Sequence, residues 1–146
     1  MDRTRTYNYD KMGNLVKSID RNGREIKYVY DDLNRNTTEI WLDNGGQGIH
    51  QFDYVYNAAS ELISASDSNS SYGYAYDFAG RLISVDNAGT PTVPNVVFTY
   101  GYDEANNLTS VTDTIIASSF EKNTWNQTSV VHILESMLER NMLKKH

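Results

Sequence analysis

The sequence predicts an all-β chain, a tandem run of antiparallel β-hairpins closed by a single C-terminal α-helix, and three observations lead there. A Tyr-x-Tyr pair recurs five times, and its second tyrosines (Tyr9, Tyr30, Tyr56, Tyr76 and Tyr102) are separated by 21, 26, 20 and 26 residues. Steps of that size are the signature of repeat architecture. Each pair runs into a turn-forming tetrad and then a short strand that usually opens on Leu, and this pattern stops near residue 117.

The aromatic strands come first in each repeat. Tyr7 and Tyr9, Tyr28 and Tyr30, Tyr54 and Tyr56, Tyr74 and Tyr76, and Tyr100 and Tyr102 have period two, which sets both rings of a pair on one face of a strand. Ile26, Phe52, Tyr72 and Phe98 extend four of these stripes, and Asn8, Val29, Val55, Ala75 and Gly101 fall between the rings. The strands are therefore sided, aromatic against small.

The turns come next. Asp10-Lys11-Met12-Gly13 and Asp77-Phe78-Ala79-Gly80 suit a type I turn, with Asp first to bind the turn backbone and Gly fourth to take positive φ. Asp31 and Asp103 open the equivalent turns, which carry Asn34 and Asn106 at the fourth position. Asn tolerates that conformation better than other non-glycine residues. Ser60 in the third copy fits it poorly and is expected to weaken that turn.

The return strands are expected at Leu15–Ile19, Thr38–Leu42, Leu62–Ser66, Leu82–Asp86 and Leu108–Thr112. Two longer connections follow the second and fourth copies, glycine-rich at 43–48 and proline-containing at 87–94, and both are expected as loops at the sheet rim. One hairpin cannot stand alone. A buried tyrosine gains about 4–6 kcal/mol at ~25 cal/mol/Å², whereas ordering each residue costs about 1.5 kcal/mol, so stability must be shared between stacked repeats.

From residue 118 the rhythm changes. Val130, Ile133, Leu134, Met137 and Leu138 recur at spacings of three and four, which predicts a helix from about residue 128. The division is thus a β-sheet domain over 1–117 and a divergent tail over 118–146.

Composition narrows the function. The chain carries 146 residues, no cysteine and a net charge of −6. Residues 1–35 hold eight Lys or Arg against six Asp or Glu, while residues 36–117 hold Arg81 alone against ten acids. A nucleic-acid surface needs a basic stripe, and the middle of this chain opposes one. No apolar run is long enough to insert in a membrane, and Met1-Asp2-Arg3-Thr4-Arg5 leads into no signal-peptide core. His50, His132 and His146 lie in unrelated contexts, and carboxylate pairs such as Asp31-Asp32 and Asp103-Glu104 fall at turns. Neither a catalytic constellation, a metal site nor a cofactor motif emerges, so an enzyme is not expected.

Tyr74-Ala75-Tyr76-Asp77-Phe78-Ala79-Gly80-Arg81-Leu82 and its four echoes resemble the YD repeats of bacterial Rhs proteins, wall-associated toxins, insecticidal toxin complexes and teneurins. The family pattern is Tyr-x-Tyr-Asp-x-x-Gly-Arg-Leu. The fourth copy matches it throughout, the first departs only at Asn14, and the others depart at the Gly or Arg position. The resemblance covers about Tyr7 to Thr114. It implies a curved, open, spiral sheet that in complete members encloses a C-terminal toxin or other cargo, and a secreted or cell-surface location. It implies as partners further YD repeats, or self-association through open sheet edges. Five copies are a fragment of such a shell, and the proteolytic core segment that follows the repeats in the family has no counterpart here. The tyrosine rows also suggest glycan stacking as an alternative function, although packing between hairpins accounts for the same spacing.

Overall fold

A computed structural model describes residues 4–116. The helix expected from about residue 128 lies outside the described residues, as does the boundary near residue 117.

Ten strands follow one another along the chain: β1 (Thr6–Tyr9), β2 (Leu15–Ile19), β3 (Glu25–Tyr30), β4 (Asn36–Leu42), β5 (Gly48–Tyr56), β6 (Leu62–Ser66), β7 (Ser71–Tyr76), β8 (Leu82–Asp86), β9 (Asn95–Tyr102) and β10 (Leu108–Ile116). They form a single antiparallel meander in which each strand pairs with its neighbours in sequence. Among the described residues the sheet is open, with β1 and β10 at its edges.

One irregularity recurs in every Tyr-x-Tyr hairpin. Tyr9 pairs with Leu15 but Asn8 with Lys17, which leaves Val16 as an extra residue. The same step leaves out Thr37, Ile63, Ile83 and Thr109 in the four later hairpins. All five are β-branched, the type that suits extended backbone. The bulge changes which side chains share a face. Leu62 and Ala65 are three apart, yet both come to lie on the tyrosine face, opposite Tyr56 and Tyr54.

That face holds the core. Register places Ala65 between Tyr54 and Tyr72, and Val85 between Tyr74 and Phe98. A small side chain between two rings lets both rings close over it, and Ala65 and Val85 are buried as a result. Leu42 is buried as well, on the other face at the end of β4, in register with Glu25 and Gly48. Ile19, Ile40 and Val97 share that second face, beside polar and small residues. Thr99 and Thr112 share a hydroxyl–hydroxyl bond of 2.5 Å there, and Thr38 donates to Asp53. Val29 and Val55 lie exposed on it.

The two longer connections differ from each other. Residues 43–48 do not form an extended loop. Asp43 N–H donates to Gln47 O and Gly46 N–H to Asp43 O, so the reversal is tight. The additional residues enter β4 and β5 instead, where Trp41 pairs with His50. Residues 87–94 do form a loop, held by its own side chains. Asn87 Nδ2 donates to Pro94 O and its Oδ1 accepts from Val96 N–H. The Thr90 hydroxyl accepts from Ser71 N–H and donates to Ser71 O, doing for β7 what a paired strand would do.

Candidate functional site

The meander brings all five Tyr-x-Tyr turns to one edge of the sheet, and the expected repeat residues converge there. Each turn is closed from within by its first side chain. Asp31 Oδ1 accepts from the N–H groups of Leu33 and Arg35, while its Oδ2 accepts from Arg35 Nε at 2.7 Å. Asp77 does the same with Ala79 and Arg81. Asp10 and Asp103 bind Asn14 and Asn107 in place of arginine. The third copy exchanges the roles: Asn57 accepts the two backbone bonds, and its Nδ2 donates to Glu61. These bonds lower the pKa of the carboxyls. Those from the Arg35 side chain act most strongly on Asp31, and those from the Arg81 backbone on Asp77.

The fourth turn position is left-handed in every copy. Gly13 and Gly80 take φ of 87° and 74°, and Asn34, Ser60 and Asn106 take 59°, 63° and 66°. Ser60 therefore adopts the conformation its side chain disfavours, and its turn still closes, with Ser60 N–H donating to Asn57 O at 3.0 Å.

The fifth residue of each of the first four turns reaches the next repeat. Arg35 Nη1 donates to Asn57 O at 2.9 Å and to the Ser60 hydroxyl at 3.3 Å. Arg81 Nη1 donates to Asn106 Oδ1 and Asp103 O. The two guanidinium groups lie over the rings of Tyr56 and Tyr102, at 5.0 and 4.9 Å, a stabilising cation–π arrangement. Asn14 spans the first step by donating to Asn34 Oδ1. Glu61 spans the third, its Oε1 lying where a Cβ on Gly80 would come within 3.2 Å.

At three of the four steps the second tyrosine of a repeat returns the contact. Tyr30 donates its hydroxyl to Leu15 O at 2.9 Å, Tyr56 to Asn36 O at 2.8 Å and Tyr102 to Leu82 O at 2.8 Å. Each acceptor is the residue paired with the preceding repeat's second tyrosine. The first tyrosines lie deeper in the sheet. Burial pushes the Tyr74 hydroxyl up to about 12, with the neighbouring Tyr76, Tyr72, Tyr54 and Tyr100 adding to the shift. Tyr28 sits 3.4 Å from the Ser18 hydroxyl, and Tyr54 and Tyr100 face Ala65 and Val111 in register. Tyr7 and Tyr9, on the edge strand β1, are exposed.

A second cluster escaped the sequence reading. Trp41, His50 and Phe52 meet edge to face, with centroids 4.4–6.0 Å apart. Trp41 Nε1 donates to Glu39, and His50 Nε2 lies 3.1 Å from Asp67 Oδ2. The available signal was the presence of Trp41 and His50 just outside the 43–47 turn, two residues before it and three after it. This is not a nucleophile–base–carboxylate relay. The Ser70 hydroxyl donates to Asp67 at 2.9 Å, so the carboxylate stands between serine and histidine where the base would be needed. Among the described residues no group of three or more His, Asp or Glu is placed to hold a metal.

Residues 79–114 match the family model of the RHS repeat. No curated protein matches the chain. Among solved structures, the Photorhabdus luminescens Tc holotoxin pore superposes with a TM-score of 0.63 at 18% identity, over 76% of this chain and 7% of that one. The TcdB2–TccC3–Cdc42 structure gives 0.64 at 18% over 79% and 7%, and TcdB2–TccC3–TEV gives 0.64 at 19% over 76% and 5%. At this identity the likeness is one of fold, and the chain spans less than a tenth of the length of the chains it matches.

Proposed function

We propose that the chain is a YD-repeat scaffold of the RHS kind, one stretch of the wall of a toxin-type encapsulating shell without catalytic activity of its own; the family-model match over residues 79–114 and the shared fold support that reading. The observation that carries this reading is the reciprocal stitch between repeats. A turn side chain reaches forward to the next turn, and a tyrosine hydroxyl reaches back to the preceding strand pair. Such bonds extend a surface and hold it rigid. They do not converge on a point where a substrate would sit.

The same contacts weigh against glycan stacking as the main role, since arginines already cover the rings of Tyr56 and Tyr102. A shell wall has its place outside the producing cell or at its surface, which is the location we propose. Among the described residues no helix is long and apolar enough to cross a membrane.

The test is a segment exchange. This chain replaces the matching hairpins in the wall of a TcdB2–TccC3 shell, and protease protection of the enclosed segment is measured. Retained protection supports the wall role. A shell that forms but leaks, beside a protected unexchanged control, overturns it.

A further inference from the structure

We propose that β10 of one copy pairs with β1 of a second copy, head to tail, in the register the chain already uses between its own repeats. This deepens the scaffold reading by naming the partner of the open edges, and it rests on that reading for the repeat geometry.

The register is read from four internal steps. Lys17 pairs with Lys27, Thr38 with Asp53, Ser64 with Gly73 and Ser84 with Thr99. In each, the first residue stands two beyond the partner of one repeat's second tyrosine, and the other stands three before the next repeat's second tyrosine. Applied to the edges, the rule places Ser110 of one copy opposite Thr6 of the next, and Val111 opposite Arg5. It lengthens β1 toward Thr4.

Two specific bonds follow from that register. The Tyr9 hydroxyl reaches Leu108 O of the neighbouring copy, as Tyr30 reaches Leu15, Tyr56 reaches Asn36 and Tyr102 reaches Leu82. Asn107 comes to lie beside the Asp10–Gly13 turn, as Arg35 and Arg81 lie beside the turns that follow them. Both edges expose what such a joint would bury: Tyr9 is 61% exposed, Leu108 54% and Val111 52%.

Charge selects this pairing over edges of the same kind. The β1 end belongs to the stretch with eight basic residues against six acidic, and the β10 end to the stretch with one against ten. A heterologous contact of this sort does not close on itself unless its rotation does, so it builds an open series.

Sedimentation of the full chain over a wide concentration range, at low and high salt, tests the pairing, with far-UV circular dichroism as the check on folding. The expected result is a mass that climbs past the dimer with concentration and falls with salt. Tyr9→Phe should raise the midpoint concentration about two- to tenfold, the net worth of one hydrogen bond. Asn107→Arg, which installs the guanidinium that Arg35 and Arg81 supply elsewhere, should lower it about as much, a gain that a folding defect cannot imitate while the dichroism is unchanged. A folded monomer at every concentration overturns the pairing. So does a dimer that stops growing and ignores both substitutions. Loss of sheet signal in the unsubstituted chain would instead sink the scaffold reading beneath it.

Discussion

Val85→Ala and Val55→Ala are the same chemical change made on opposite faces of the sheet, and together they test which face is the core. Val85 is 2% exposed between Tyr74 and Phe98, whereas Val55 is 52% exposed on the opposite face. Two buried methyl-sized groups at ~0.8 kcal/mol each give about 1.6 kcal/mol of lost transfer energy. If the rings relax only partly, the void adds about 1 kcal/mol at ~24 cal/mol per Å³. Val85→Ala should therefore destabilise by about 2–3 kcal/mol, against less than about 0.5 kcal/mol for an exposed site such as Val55. In urea melts of dilute chain, with the slope unchanged, that lowers the midpoint by on the order of 1 M for Val85→Ala and hardly at all for Val55→Ala. Equal losses at the two sites would refute the assignment of the tyrosine face as the packed one.

Alkali should unfold the chain. Burial raises the Tyr74 hydroxyl to about 12, so its contribution is intact below the unfolded value near pH 10 and is lost as pH climbs toward 12; tyrosinate absorbance should rise together with loss of sheet dichroism. Acid acts through the turns. Asp10, Asp31, Asp77 and Asp103 are held below their ordinary value by hydrogen bonds within their turns, so the stability they contribute is present above pH ~4 and drains as pH falls further, which an acid melt should display. At the left-handed turn position Gly80→Ala should cost about 1–2 kcal/mol in thermal melts, and Gly80→Asn clearly less. Ser60→Gly, at a position with the same φ, should stabilise by about 0.5–1 kcal/mol.

Much of this was written in the alternation of residues. The Tyr-x-Tyr strands and the returns at Leu15–Ile19, Leu62–Ser66 and Leu82–Asp86 stand where spacing placed them. The Asp-x-x-Gly turns announce a bulged hairpin, but the extra residue in each return strand was not legible, because Val16, Ile63 and Ile83 are good strand residues whether paired or left over. Without the bulge, Leu82 and Val85 read as residues on opposite faces, which hid the core. The span 43–48 misled for a related reason. Its glycines signal a turn, but the sequence does not say how far Trp41 and His50 continue the ladder around it. Longest in reach and least visible were the side chains that follow each turn. Asn14, Arg35, Glu61, Arg81 and Asn107 differ in charge and length, and what they share is a place in space.

The extra residue in each hairpin sets a rule for how such a chain can change length. Deleting Ile63 alone keeps Tyr56 opposite Leu62, Val55 opposite Ser64 and Tyr54 opposite Ala65 and removes only the bulge, whereas deleting Val55 would make Tyr54 and Tyr56 adjacent and send them to opposite faces. Removing or duplicating a whole block of 20 to 26 residues leaves every surviving joint as it was. Length can therefore change by an entire module, or by the one extra residue of a bulge, without moving a ring off its face.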